Sequence, residues 1–354
     1  MTPKEKIIEL REMLQKAVEL EFATIPPYLT AAFSIHPKAN RSSFEIIHSV
    51  YMEEMLHMVL AANVLNAIGG TIKLGKENIP KYPLNLEFKG EKFKDRDFNI
   101  NLERFSLDSI GIFMKIELPD NWEDPSIKKM KLEMEIPGYT IGEFYNSIKT
   151  KLSELCEEIS EENVFTGDQT HQIGEDYYWS GGGKPFEVLH LKDALEAIEV
   201  IIEQGEGASP ESLSDGDKIL FGQQEEVAHF FRFNEIYVGK RYKMDDDPKK
   251  PPTGEDLPIE WDRVYPIKSN CKSTDFNTTP QLANLNMQFN QHYTLMTKGI
   301  EEALQGNRKS LYSAIMNDMH GMARIAYQMV QIPINGDTDG QTGAPSFELI
   351  DLTK

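Results

Sequence analysis

One long helical stripe constrains this chain more than any other feature. From Ser42 or Ser43 to Ile68, the residues Phe44, Ile47, Tyr51, Glu54, Met58, Ala61, Leu65 and Ile68 recur at alternating spacings of three and four, and Gly69-Gly70 stops the run. Such spacing puts all eight on one helical face, and a face that apolar must be covered by other helices. The first segment is the natural partner. Thr2 can cap it, Pro3 suits the first helical position and Glu5 completes a capping box. Its stripe is Ile7, Leu14, Glu21 and Tyr28, with Leu10, Ala17 and Ile25 beside them. Pro26-Pro27 predict a kink, and His36-Pro37 end the helix. The short link between the two makes them antiparallel neighbours. Each stripe carries one carboxylate, Glu21 in the first and Glu54 in the second.

Residues 71–138 are rich in Pro, Lys and Asn and read as an irregular insertion with a short helix near Ser106 to Glu117. Helical spacing resumes at Thr140, through Ile141, Tyr145, Ile148, Leu152, Leu155 and Ile159. After a loop carrying Gly181-Gly182-Gly183, helices are expected over about Leu191 to Glu206 and from Ser214 to about Val238. A Pro-, Lys- and Asp-rich crossing loop, roughly 243–258, leads to a helical hairpin, about 280–304 and 308–331, and to an extended tail from Pro333. The expected fold is all-α: a four-helix bundle within residues 1–240, with 241–354 packed on it.

The chemistry lies in two segments of the same form, Glu54-Met-Leu-His57 and Glu226-Val-Ala-His229. On a helix, residues three apart share a face, so a carboxylate and an imidazole can hold one metal ion. Glu226 sits among Ile219, Gln223, Phe230, Phe233 and Tyr237, as Glu21 and Glu54 sit in their own apolar stripes. A buried carboxylate without a partner costs several kcal/mol, and these stripes contain no Arg or Lys. Three of them facing one core call for a cation. Glu21 and Glu54 lie roughly 20–25 Å from the turn that joins their helices, so they share a level in the bundle. The remaining carboxylate is assigned to Glu203, with Glu143 and Glu206 as rivals; Thr140-Ile-Gly-Glu143 reads as a capping box, a structural reason for that Glu. The expected ligands are therefore Glu21, Glu54, His57, Glu203, Glu226 and His229. Carboxylates with imidazoles suit iron, with manganese as the alternative, and two ions are expected. Tyr28 and Tyr51, on the same stripes as Glu21 and Glu54, are expected to pack rather than to carry an electron.

Composition removes other function classes. Lys plus Arg number 37 against 57 Asp plus Glu, a formal net charge of −20, so nucleic acid and anionic membrane surfaces are not expected partners. The two cysteines cannot build a disulfide framework, no run of about eighteen apolar residues exists, and the N-terminus has no signal-like apolar core. The expectation is a cytoplasmic protein. No Gly-x-Ser-x-Gly or phosphate-binding loop is present.

Leu20-Glu-Phe-Ala-Thr-Ile-Pro-Pro-Tyr-Leu29, Glu53-Glu-Met-Leu-His57, Ala62-Asn63 and Ile68-Gly-Gly70 resemble the ferritin-like domain of the iminophenyl-pyruvate dimer synthase family. Gln204-Gly-Glu-Gly207, His229-Phe-Phe-Arg-Phe233 and Pro345-Ser-Phe347 look like the same family, so the resemblance covers nearly the whole chain. It implies a ferritin-like four-helix bundle with a metal site at Glu21, Glu54, His57, Glu226 and His229. Members named for this activity couple two oxidised amino-acid imines in violacein- and rebeccamycin-type pathways. The resemblance and the residues together point to a non-haem di-iron oxidoreductase acting with O2 on a small, amino-acid-derived molecule, with the oligomeric state left open. The competing readings are a ferroxidase or metal-handling protein, and a non-catalytic ferritin-like module.

Overall fold

The computed structural model describes residues 1–85, 99–119, 141–179, 181–207, 209, 212–220, 226–337 and 339–352. Much of the insertion expected at 71–138, the Thr140 cap, Gln223 and the side chain of Glu206 lie outside the described residues.

Helix α1 spans Pro3–Ser34 and is capped as the sequence predicts, with Thr2 and Glu5 exchanging hydrogen bonds between side chain and backbone. It continues through Pro26 and Pro27. Helix α2, Arg41–Ala67, returns antiparallel beside it, and among the described residues this pair forms the most extensive helix contact. The insertion contributes a two-stranded antiparallel ladder, Leu84–Asn85 against Asn99–Ile100, and helix α3, Leu107–Ile116, capped by Ser106. Helix α4 is Ile141–Ile159 and helix α5 is Leu191–Glu206. Helix α1 packs on α2 and α4, while α5 packs on α2 and α4, which closes a four-helix ring. The buried faces of α4 and α5 carry Tyr145, Ile148, Leu152 and Leu155 on one, and Ala194, Ala197, Ile198 and Ile201 on the other.

The helix expected from Ser214 to Val238 is corrected. Helix α6 spans only His229–Val238. Ahead of it, Ser214 and Val227 form an antiparallel bridge, with Asp215 N donating to Glu226 O at 3.0 Å and Ala228 N to Leu213 O at 2.9 Å. These backbone bonds hold 226–228 extended, and Ala228 keeps extended angles at the cap of α6. Helix α6 packs on α3, α2 and α5.

Helix α7, Pro280–Ala303, pairs with a segment that starts as a helical turn at Ser310–Ser313, passes through a π-helix at Ala314–Met319 and becomes helix α8 at His320–Met329. Helix α8 packs on α7 and α1. Among the described residues, no helix is long and apolar enough to cross a membrane.

Candidate metal centre

Five buried side chains converge inside the bundle. Helix α1 supplies Glu21, α2 supplies Glu54 and His57, the residue that ends α3 supplies Glu117, and the first residue of α6 supplies His229. They form two three-donor groups that share one carboxylate: Glu21, Glu54 and His57, and Glu54, Glu117 and His229. His57 Nδ1 lies 3.6 Å from Glu21 Oε2 and 3.9 Å from Glu54 Oε1. His229 Nδ1 lies 3.0 Å from the same Glu54 Oε1 and 3.5 Å from Glu117 Oε2. The two imidazoles stack at 5.4 Å between ring centroids.

Each outer carboxylate is held by a buried phenol. Tyr145 on α4 donates to Glu21 Oε1 at 2.5 Å, and Tyr28 on α1 donates to Glu117 Oε1 at 2.5 Å. Thr24 donates to Glu54 Oε2 at 2.8 Å, which leaves Glu54 Oε1 facing both histidines. Behind His57 stands Gln204. Its amide nitrogen donates to Gly182 O at 3.1 Å and Asp217 Oδ1 at 2.6 Å, so its oxygen faces His57 Nε2 at 2.9 Å and can only accept. Behind His229 stands Glu53, whose Oε2 lies 2.8 Å from Nε2. In both rings Nε2 therefore carries the hydrogen, and in a neutral imidazole Nδ1 presents its lone pair to the carboxylates.

This placement depends on Gly182, whose backbone lies against α2 at φ +83°. A Cβ there would come within 2.8 Å of Glu53 Cα and N. The Gly181–Gly183 loop thus presents Gly182 O to Gln204 from a position that a larger residue could not occupy.

Arg232 anchors the other side. Its Nη1 donates to Glu53 Oε1 at 2.7 Å and its Nη2 to Asp215 Oδ2 at 2.7 Å. Burial alone would raise the Glu53 carboxyl, but Arg232 and His229 outweigh it and hold it down at about 2. At Glu54 the balance runs the other way: burial, then the adjacent Glu117 carboxylate, push it up to about 8 against the pull of His229. Burial lowers the His229 imidazole, but Glu117, Glu53 and Glu54 more than reverse this and raise it well above its usual value. Burial, then its neighbours Asp215 and Glu53, lift Asp217 to about 7. The cluster is thus short of positive charge. Arg232 is the only buried Arg or Lys among the described residues, and it is committed to Glu53 and Asp215. His229 Nδ1 is buried and makes no aligned hydrogen bond despite two carboxylate oxygens within 3.5 Å. Buried carboxylates and imidazoles that converge in this way take up protons when no cation is present, as the raised Glu54 and His229 show, and a metal cation satisfies the same donor atoms by displacing those protons, so these residues fit one.

Of the six ligands expected from the sequence, Glu21, Glu54, His57 and His229 come together here. Glu226 does not: its side chain is 53% exposed, and it approaches the outer side of Arg232 at 3.5 Å. The i,i+3 argument fails because 226–228 is extended rather than helical. Glu203 also stands outside both groups and is half-buried. The inward face of α5 passes through Gln204, about 100° further round the helix, and it is this neighbour that reaches His57. Glu143 lies in the first turn of α4, likewise outside both groups. The helix at 107–116 was legible, but not that the residue ending it, Glu117, joins the site. A signal existed: a carboxylate at a helix C-terminus opposes the macrodipole and calls for a nearby cation. Glu53 and Arg232 were also missed as partners of the site. Tyr51 packs against His48, whereas Tyr28, expected only to pack, bonds to Glu117.

If these donor groups hold metal, Glu117→Gln should weaken binding by ~1–3 kcal/mol, the scale for losing a charged buried contact, while Glu203→Gln should leave it unchanged. Anaerobic Fe(II) titration of the two variants checks this, and equal losses in both would contradict the grouping.

A narrow pocket reaches the site, lined by Glu21, Glu54, His57 and Glu117 together with Ile116, Ile141, Gly142, Ile201, Ile202 and Gly205. Four isoleucines and two glycines thus share its wall with the four donor residues.

The ferritin-like family profile matches residues 14–238, well over half of the chain. The chain belongs to the ferritin-like family. Two curated relatives are similar at lower identity. Dichlorochromopyrrolate synthase of Lentzea aerocolonigenes is 24% identical over 98% of this chain, and the match covers 36% of that protein. 2-Imino-3-(indol-3-yl)propanoate dimerase of Chromobacterium violaceum is 24% identical over 64% of this chain and 23% of its own length. The chain thus spans about a third or less of either relative. The crystal structure of a ferritin-like protein from Caulobacter vibrioides superposes with a TM-score of 0.58 at 20% identity, covering 95% of this chain and 97% of that one. The resemblance read from the motifs therefore holds for the family and for the helical fold.

Proposed function

We propose that this ferritin-like protein is a non-haem di-metal oxidoreductase that uses iron and O2 to oxidise a small, amino-acid-derived substrate. The observation that carries the reading is the pair of donor groups sharing Glu54 at a pocket whose other side chains are isoleucines. Glu21, Glu54 and His57 would hold one ion, and Glu54, Glu117 and His229 the other. Bound iron would supply the redox chemistry, passing electrons from the substrate to O2. The protein's own share is positional. Tyr145 and Tyr28 fix the outer carboxylates, Gln204 and Glu53 fix the imidazoles, and Ile116, Ile141, Ile201 and Ile202 keep water from the organic part of the substrate. The name of the Chromobacterium violaceum relative supports a 2-imino acid with an aromatic side chain as the substrate to try first. Oxidative coupling of two such molecules forms one C–C bond and releases two electrons and two protons, for which O2 is the acceptor.

The test is oxygen uptake by protein loaded anaerobically with Fe(II). Uptake should rise at least tenfold when 2-imino-3-(indol-3-yl)propanoate, or another aromatic 2-imino acid, is generated in the cell. Repeated turnover of Fe(II) alone, with no response to organic substrate, would support the ferroxidase reading and overturn this one.

A further inference from the structure

The two donor groups are built alike except behind their histidines. His229 Nε2 donates to Glu53, an ionised carboxylate locked by Arg232 at 2.7 Å. His57 Nε2 donates to the neutral amide oxygen of Gln204, which is itself fixed by Gly182 and Asp217. A carboxylate behind an imidazole draws its N–H proton and makes the opposite nitrogen a stronger donor; an amide does so far less. The surroundings differ in the same sense. His229 is fully buried and is the only one of the five converging residues that does not line the pocket, whereas Glu21 and His57 both line it. From these differences we propose that the two metal positions are unequal: Glu54, Glu117 and His229 form the tight, permanently held position, and Glu21, Glu54 and His57 form the weaker, exchangeable one, which faces the substrate. This inference rests on the metal reading above and assigns Gln204 and Glu53 as the positioning residues that set the difference.

Because Glu54 serves both groups, a second ion is repelled by the first whatever stands behind the histidines. Single-position variants remove that effect. The probe is Mn(II) alone, titrated without oxygen and followed by loss of the free-ion EPR signal; Mn(II) binds weakly enough for both positions to fall in a measurable range. His57→Ala should retain one ion with the affinity of the first wild-type step, and His229→Ala should retain one bound at least tenfold more weakly. Adding Glu53→Gln to the His57→Ala background should weaken binding by ~10–100-fold. Adding Gln204→Glu to the His229→Ala background, together with Asp217→Asn so that an amide donates to the new carboxylate where Gln204 now donates to Asp217, should strengthen it. Circular dichroism confirms folding, and the two second changes act in opposite directions, which a general loss of structure cannot imitate. Equal affinities in the two single variants, the reverse order, or no response to Glu53→Gln and Gln204→Glu would overturn the inference while leaving the metal reading intact. Absence of Mn(II) and Fe(II) binding in the wild type would remove both.

Discussion

Replacing Glu54 by Ala should take the iron content after anaerobic loading from about two ions per chain to near zero. Among the described residues, no other side chain belongs to both donor groups. Without it, each histidine keeps a single carboxylate partner, Glu21 for His57 and Glu117 for His229 among the three-donor sets. The loss should also appear in stability. A ligand that binds only the folded state at 100 times its dissociation constant adds roughly 2.7 kcal/mol, so Fe(II) should raise the denaturation midpoint of the wild type and not of Glu54→Ala. Glu226→Ala is the contrasting variant. Its carboxylate is half exposed and lies outside both groups, so metal content should stay at the wild-type value. Elemental analysis of the desalted proteins decides between them. Full metal retention in Glu54→Ala, or loss in Glu226→Ala, would contradict the site described above.

The second large effect is expected at Arg232. Arg232→Met keeps most of the volume but leaves Glu53 and Asp215 buried without their cation. Breaking a buried ion pair from one side costs about 3–5 kcal/mol, because the remaining charge is stranded. Here two carboxylates lose one guanidinium, and the hydrogen bonds of that guanidinium to Ser49 Oγ and Val227 O go with it. Denaturant unfolding of the metal-free protein should register a loss on that scale. A loss below about 1 kcal/mol would mean that the two carboxyls simply protonate and that the network carries little of the fold. The variant also bears on His229, since Glu53 stays an ionised acceptor behind that imidazole only while Arg232 faces it.

Local periodicity by itself determined the two long helices that frame the site. Helices α1 and α2 are long, so a stripe repeated over many turns leaves little freedom about which residues face inward; Glu21 and Glu54 were legible from their places in those stripes, and His57 from its spacing of three from Glu54. The capping box at Thr2, the turn before α2 and the short helix at 107–116 follow from the same local rules. What only the tertiary structure decided is what completes the site. The Glu226-x-x-His229 spacing promises a shared face only if the segment is helical. Residues far apart in sequence override that local preference, since Asp215 and Leu213 bond to the backbone at Glu226 and Ala228 and keep the strand extended until His229. Glu226 is thereby turned outward, and Glu117, brought in at the end of α3 by the packing of α3 on α6, takes the place expected of it. The choice of Gln204 over Glu203 has the same origin: one residue is a 100° turn of α5, and only the packing of that helix on α2 and α4 sets which of the two faces His57.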